Sequence, residues 1–361
     1  MATRKKKPSK VAATAEGGPA GSPHIVAVTG AFGAFGRRLL PLLEADPDIE
    51  RVVAIDVRHP AVGRDVDPAA FLAAHGKLTA HTLDLAEAGA DTELAKVLEV
   101  ERAGALIHLA LLSSPTHALE MAHEAETIGT LHVLHAAAAA RVGYVLSLSS
   151  AMCYGARADN PAWITEEQPL RPPPSRSLRD KADAERQVLR FGEEHAGCAV
   201  AVARVGAVLG SAEDHFWSRL LGRRAVPAVL GYDPLMQLML VDDVAGALHA
   251  ILRARARGAF NVVGRGVLPL SHVLSRLSRL PIYVPPGIGR SVLGALWTAQ
   301  LSDIPRHFLD YLRWSWVCDG ARLTRETGFV PSHDIDTTLQ VFASGAWRDP
   351  QGSATAIRGA T

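Results

Sequence analysis

The chain has 361 residues, 48% of them hydrophobic and 21% charged. That is globular composition, which excludes a disordered or collagen-like chain. With 38 Lys+Arg against 37 Asp+Glu, a protein whose main task is gripping phosphate backbone is disfavoured, and no nucleic-acid partner is expected.

Residues 1–23 read as a disordered basic tail. They start MATRKKKPSK and continue without the apolar core of a signal peptide. The Arg4–Lys7 run is one short cluster, read as solvated. No apolar run approaches the ~18 residues of a spanning helix, so stable membrane insertion is not expected. Cys153, Cys198 and Cys318 lie far apart and form no CxxC pair. Neither a disulfide framework nor a metal site is indicated, and a reducing, cytoplasmic compartment is expected.

Ordered structure is expected from His24. His24–Thr29 is a short apolar run that suits a buried strand. A glycine-rich turn, 30–36, follows, and then a helix over 37–45, where Pro41 predicts a kink or an early stop. Further strands are expected at Arg51–Asp56, 77–83, 105–109 and Tyr144–Ser149. Helical patterns at 91–102 and, rich in alanine, 116–141 separate them. This alternation predicts an α/β fold whose parallel sheet carries helices on both faces. Residues 156–175 read as a proline-rich loop. A helix over 177–195, a strand over 198–205, an acid-opened helix over 242–257 and a strand over 259–263 complete the pattern. Residues 269–346 read as mostly helical.

The sharpest signal is Gly30-Ala31-Phe32-Gly33-Ala34-Phe35-Gly36, set between the first strand and its helix. Glycines there let backbone amides approach a pyrophosphate at a helix N-terminus. Asp56, twenty residues past Gly36, ends the second strand, where a carboxylate accepts hydrogen bonds from both ribose hydroxyls. It repels a 2′-phosphate, so NAD is expected rather than NADP, although Arg58 could pair with that phosphate.

With this turn, the sequence resembles the extended short-chain dehydrogenase/reductases of the NAD-dependent epimerase/dehydratase group. The marks run in order: Asp84-Leu85, His108-Leu109-Ala110, Ser149–Gly155 (SSAMCYG), Leu240–Ala245 (LVDDVA) and Ala259-Phe260-Asn261-Val262. The resemblance covers roughly residues 24–345. It implies an extended Rossmann fold with a small C-terminal substrate lobe. Residues 24–210 would form the nucleotide domain and 211–346 mainly the lobe, with 238–263 returning to the core and 347–361 a flexible tail. It also implies that Gly30, Phe32, Gly33, Ala34, Phe35, Gly36, Asp56, Asp84, Leu85, Leu109, Ala110 and Lys181 bind the cofactor. The alanine-rich helix would form a homodimer face.

The same resemblance fails at the reaction centre. The family's catalytic set is Ser/Thr, Tyr and Lys. Ser150 matches the serine, and Lys181 with Glu185 reproduces KxxxE. Four residues before Lys181, however, stands Ser177, giving SxxxK where YxxxK is expected. A phenol starts near pKa 10, whereas an aliphatic hydroxyl starts several units higher and is too short to reach the same point. Losing general acid–base help of ~10²–10⁴-fold leaves a slow catalyst, not necessarily a dead one. Tyr154 and His108 are read as structural rather than as substitutes. Two more departures are Glu126, where the family often has asparagine, and Val205, which usually leads into Pro-Gly. The arginine that binds a sugar pyrophosphate is also missing: Met236 or Gln237 stands in its place, and Arg223 and Arg224 lie upstream.

Two functions of different kinds remain open. One is an NAD-dependent oxidoreductase or epimerase acting on a small-molecule alcohol or carbonyl, sugar-derived or lipophilic. The other is a catalytically impaired NAD(H)-binding protein that works through a partner.

Overall fold

A computed structural model describes residues 22–57, 76–111, 116–210, 215–300 and 304–345. The expectations for residues 1–21, for the C-terminal tail and for Arg58 lie outside these residues, whereas Ser22 and Pro23, read as the end of the basic tail, already belong to the first strand. The first six strands are β1 (Ser22–Thr29), β2 (Arg51–Asp56), β3 (Leu78–Thr82), β4 (Ala103–His108), β5 (Tyr144–Ser150) and β6 (Ala199–Val205). After them come β7 (Ala207–Leu209), β8 (Ala225–Val229), β9 (Leu235–Met236), β10 (Leu238–Leu240), β11 (Gly258–Val262), β12 (Leu268–Pro269) and β13 (Leu280–Val284). Seven of them form one sheet in the order β11-β6-β5-β4-β1-β2-β3. Every pairing in it is parallel. Because both faces are covered, β2, β4 and β6 are buried almost throughout and read as continuous apolar runs rather than alternating ones.

Helices α1 (Gly36–Ala45), α2 (Ala90–Glu101), α3 (Gly129–Ala139), α4 (Arg176–Glu194) and α5 (Val241–Ala254) cover the sheet. On one face α1 and α5 share a core through Leu39, Leu43, Val244 and Leu248. On the other, α2, α3 and α4 contribute Leu94, Leu98, Val133 and Val188 to a second core. A third cluster fills the smaller lobe and joins Trp217, Phe308, Tyr311 and Trp316. That lobe is built on the small pairings β7–β10, β8–β13 and β9–β12. It also carries α6 (Pro286–Thr298) and α7 (Ile335–Ser344). No helix among the described residues is long and apolar enough to cross a membrane.

Three sequence readings need correction. The helix after the glycine turn runs to Ala45 as expected, so the early stop offered for Pro41 does not occur. The ring points to the exposed side while Leu39, Leu40 and Leu43 stay buried, so packing outweighs one lost hydrogen bond. The alanine-rich segment is not one regular helix: a π-turn over Glu124–Ile128 separates Leu119–His123 from α3. Such a turn inserts an extra residue and is common at functional sites. The stretch read as mostly helical also holds β13, whose five residues are mostly exposed.

Candidate functional site

β1 lies between β4 and β2, so the chain leaves the sheet's centre in both directions there. Ligands of such sheets bind where the strand order reverses, outside the carboxyl ends of the strands. The glycine turn occupies that point. Gly30 has φ +68°, and a Cβ on it would lie 2.7 Å from the Ala110 backbone nitrogen. A Cβ on Gly36 would collide with the Ala31 carbonyl oxygen. Only glycine fits both places, one for the tight turn and one for the approach of helix to strand. The Gly33 N–H donates to the Gly30 carbonyl at 3.1 Å and closes the turn. The Phe32 N–H donates to Asp56 Oδ2 at 2.9 Å, which ties the buried carboxylate at the end of β2 to the turn.

A cleft of about 960 Å³ opens over this turn. Of the cofactor residues expected from the sequence, it brings together Gly30, Gly33, Ala34, Phe35, Gly36, Asp56, Asp84, Leu85, Leu109 and Ala110. Asp84 accepts from the Ala86 N–H at 2.9 Å, which fixes the loop after β3. Phe32, also expected to bind the cofactor, does not line this cleft: its ring is buried in the core and its N–H serves Asp56. Lys181 lies in a second cavity, which shares Phe35 and Leu111 with the first.

Ser150, Ser177 and Lys181 meet in that second cavity, Ser177 one helical turn before Lys181 on α4. Ser150 Oγ accepts from the Met152 N–H at 3.2 Å and caps the 3₁₀ turn after β5. The Lys181 ammonium forms an ion pair with Glu126. Glu126 is fully buried and comes from the π-turn. Its carboxylate, which the sequence shows only as a departure from asparagine, is thus the partner of the expected catalytic lysine. Glu185 answers a different cation: it accepts from Arg204 Nε at 2.8 Å and from Ser149 Oγ at 2.6 Å.

The two alternative proton carriers are both engaged in buried hydrogen bonds. Tyr154 Oη donates to Asn261 Oδ1 at 2.9 Å and accepts from Arg204 Nη1 at 2.6 Å. Burial pushes its phenol above the ordinary value, against the opposing pull of Arg204. His108 is held between the Thr29 and Thr130 hydroxyls at 2.7 and 3.2 Å. Full burial lowers its pKa to about 4, so the ring is neutral. Side-chain hydroxyls rather than backbone groups thus hold this ring.

The remaining wall of the second cavity is mostly apolar, with Leu148, Met152, Val208, Phe216, Trp217 and Phe308; Ser149, Ser175 and His215, which stands beside Phe35, are its polar members. No local motif could have collected these residues, because they converge from separate segments. Among the described residues lining this cavity there is no arginine. Gln237, at the site of the missing arginine, is a structural clamp. Its amide donates to the Gly264 and Cys318 carbonyls at 3.0 and 3.1 Å, and its oxygen accepts from the Cys318 N–H at 3.0 Å. Arg223 and Arg224 are exposed and lie outside the cavity. Trp316 packs against Trp217 in the lobe core, with ring centroids 5.7 Å apart.

A parallel sheet with a glycine turn at its switch point and an acidic residue ending the second strand define an extended Rossmann fold. The family model for the NAD dependent epimerase/dehydratase family matches residues 26–263. The chain belongs to that family. It is 30% identical over 327 residues to an uncharacterised protein of Mycobacterium tuberculosis, covering 89% of this chain and 82% of that one. Among solved structures, the dTDP-glucose 4,6-dehydratase of Bacillus anthracis in complex with NAD superposes with TM-score 0.67 at 14% identity. The match covers 91% of this chain and 97% of that one. The UDP-glucose 4-epimerase of Thermus thermophilus, in complex with NAD, gives TM-score 0.66 at 19% identity, over 90% and 99%.

Proposed function

We propose that the chain binds NAD(H) and acts as an oxidoreductase on an uncharged, lipophilic alcohol or carbonyl compound. The observation that carries this reading is the composition of the two joined cavities: a glycine-turn cleft fitted to a dinucleotide, and an apolar, arginine-free chamber that holds Ser150, Ser177 and Lys181. The turn at Gly30, where a Cβ would strike the Ala110 backbone, lines the cleft that would take the cofactor's pyrophosphate. Asp56 would accept from the adenosine ribose hydroxyls, and Asp84 would face the adenine. When bound, the nicotinamide supplies or accepts a hydride.

The protein's own groups do the remaining work. Ser150 and Ser177 offer hydroxyls to the reacting oxygen. An ammonium has three N–H donors, so the Lys181 pairing with Glu126 is compatible with a second acceptor from the nicotinamide ribose. Apolar walls exclude water, which strengthens each of these hydrogen bonds. The solved neighbours are named for nucleotide-sugar substrates. A sugar pyrophosphate is commonly met by arginine or lysine, and among the described residues lining this chamber the one such cation is Lys181, already facing Glu126.

One observation favours a second reading, an NAD(H)-binding protein without turnover. Among the described residues lining the chamber there is no phenol, and Tyr154 is committed to Arg204 and Asn261. The Ser177→Tyr variant separates the two. The holoprotein is incubated with uncharged secondary alcohols, and reduced nicotinamide is followed by absorbance. Wild-type turnover that disappears in Lys181→Ala supports the oxidoreductase. A silent wild type that gains turnover in Ser177→Tyr supports the binding protein and sinks the first reading.

A further inference from the structure

Among the described residues, six of the large apolar side chains that stand exposed belong to one edge of the small lobe. They are Leu230, Leu280, Ile282, Tyr283, Ile288 and Val292, each half or more exposed. Leu230 follows β8, and the others lie on β13 and α6. β13 pairs only with β8 among the described strands, so it is an edge strand whose residues are almost all open to solvent. Long apolar edges of this kind are normally covered or charged to prevent association. Ile288 and Val292 are four apart on α6 and extend the same surface along one stripe.

The two segments that form this patch carry charge of one sign. Residues 215–232 and 268–300 contain six arginines and no aspartate or glutamate. Arg223 and Arg224 precede β8, and Arg279 precedes β13. Arg276 and Arg290 are partly answered from neighbouring elements, by Asp336 at 2.6 Å and Asp310 at 3.5 Å. A second copy of this chain would meet arginine with arginine across a self-complementary contact. A bilayer surface bearing anionic headgroups matches both halves of the pattern: apolar side chains enter the acyl boundary while arginines sit among phosphates.

The patch is also linked to the chamber. The 3₁₀ segment Arg306–Leu312 packs on α6 and places Phe308 in the chamber wall. At the far end of α6, Trp297 stacks on His117 with ring centroids 3.8 Å apart, in the segment that follows the cleft residue Leu111.

We propose that the β13–α6 face docks peripherally on an anionic phospholipid surface, which sets the apolar chamber beside a source of lipophilic substrate. The docking itself does not depend on the chemistry of the chamber. The link to substrate rests on the oxidoreductase reading.

Full-length protein is sedimented with vesicles of phosphatidylcholine alone and of phosphatidylcholine with 30 mol% phosphatidylglycerol. Wild type is expected to partition to the mixed vesicles and not to the neutral ones, with binding that falls as salt rises. Arg223→Gln with Arg224→Gln should weaken partitioning by about fivefold per charge. Ile282→Asp with Ile288→Asp should abolish it, with an unchanged melting temperature because both positions are exposed. A Lys5→Gln, Lys6→Gln, Lys7→Gln variant should retain most of the binding. The proposal is overturned if wild type ignores anionic vesicles, if binding follows the tail lysines rather than the face, or if Ile282→Asp with Ile288→Asp instead splits a soluble dimer in sedimentation velocity.

Discussion

Removing the charge of Lys181 should cost more stability than removing that of its partner. Glu126 is fully buried in the π-turn, whereas Lys181 is 12% exposed and borders an open chamber. Lys181→Met therefore leaves a carboxylate sealed in protein without its cation, the situation that costs about 3–5 kcal/mol. Glu126→Leu leaves an ammonium that chamber water can solvate, so the cost falls nearer 1 kcal/mol, toward the range of exposed pairs. The double variant replaces both charges with apolar groups and should recover most of the loss. Chemical denaturation of the four proteins gives the cycle, and the expected coupling energy exceeds about 2 kcal/mol. Equal, additive losses in the two single variants would refute the assignment of a buried anion supporting a partly hydrated cation.

Other consequences can be checked with the same material. Tyr154→Phe removes the hydroxyl shared by Arg204 and Asn261. It should destabilise the fold by about 1–3 kcal/mol and leave NAD affinity and any pH–rate profile unchanged; a displaced profile would make Tyr154 a proton carrier after all. His108 has a folded pKa of about 4, below its ordinary 6.5. A buried neutral histidine contributes stability that is present above pH 6.5 and is lost as pH falls from 6.5 toward 4. The limit is about 3 kcal/mol. His307, lowered to about 4 by burial, adds a loss of the same sign. Urea midpoints measured from pH 7.5 to 4.5 should fall, and His108→Gln should flatten the fall.

What was legible in the sequence was local. The glycine turn, Asp56 and the strand–helix alternation each lie within one short stretch, where a conformational requirement dictates residue type directly. The absence of the catalytic phenol was equally visible, because YxxxK is one turn of one helix. The partner of Lys181 was not visible, since Glu126 lies 55 residues away and meets it only through the packing of the π-turn on α4. The Arg204 network had the same obstacle: Tyr154, Glu185 and Asn261 come from three different elements. The chamber wall was not legible for a related reason: Phe35, Phe216, Trp217 and Phe308 converge on it from separate segments. Apolar side chains look alike in sequence whether they end in a core or around a ligand.

The central claim is that the turn at Gly30 cradles a dinucleotide diphosphate while Asp56 selects against a 2′-phosphate. Isothermal titration of nucleotide-stripped protein with NAD, NADH and NADP tests it most directly, with Gly30→Val as the control. Saturable heat with NAD and NADH, weaker binding of NADP and loss of all three in a folded Gly30→Val variant is the expected result. Silence with every nucleotide, or a Gly30→Val variant that binds as wild type does, would contradict it.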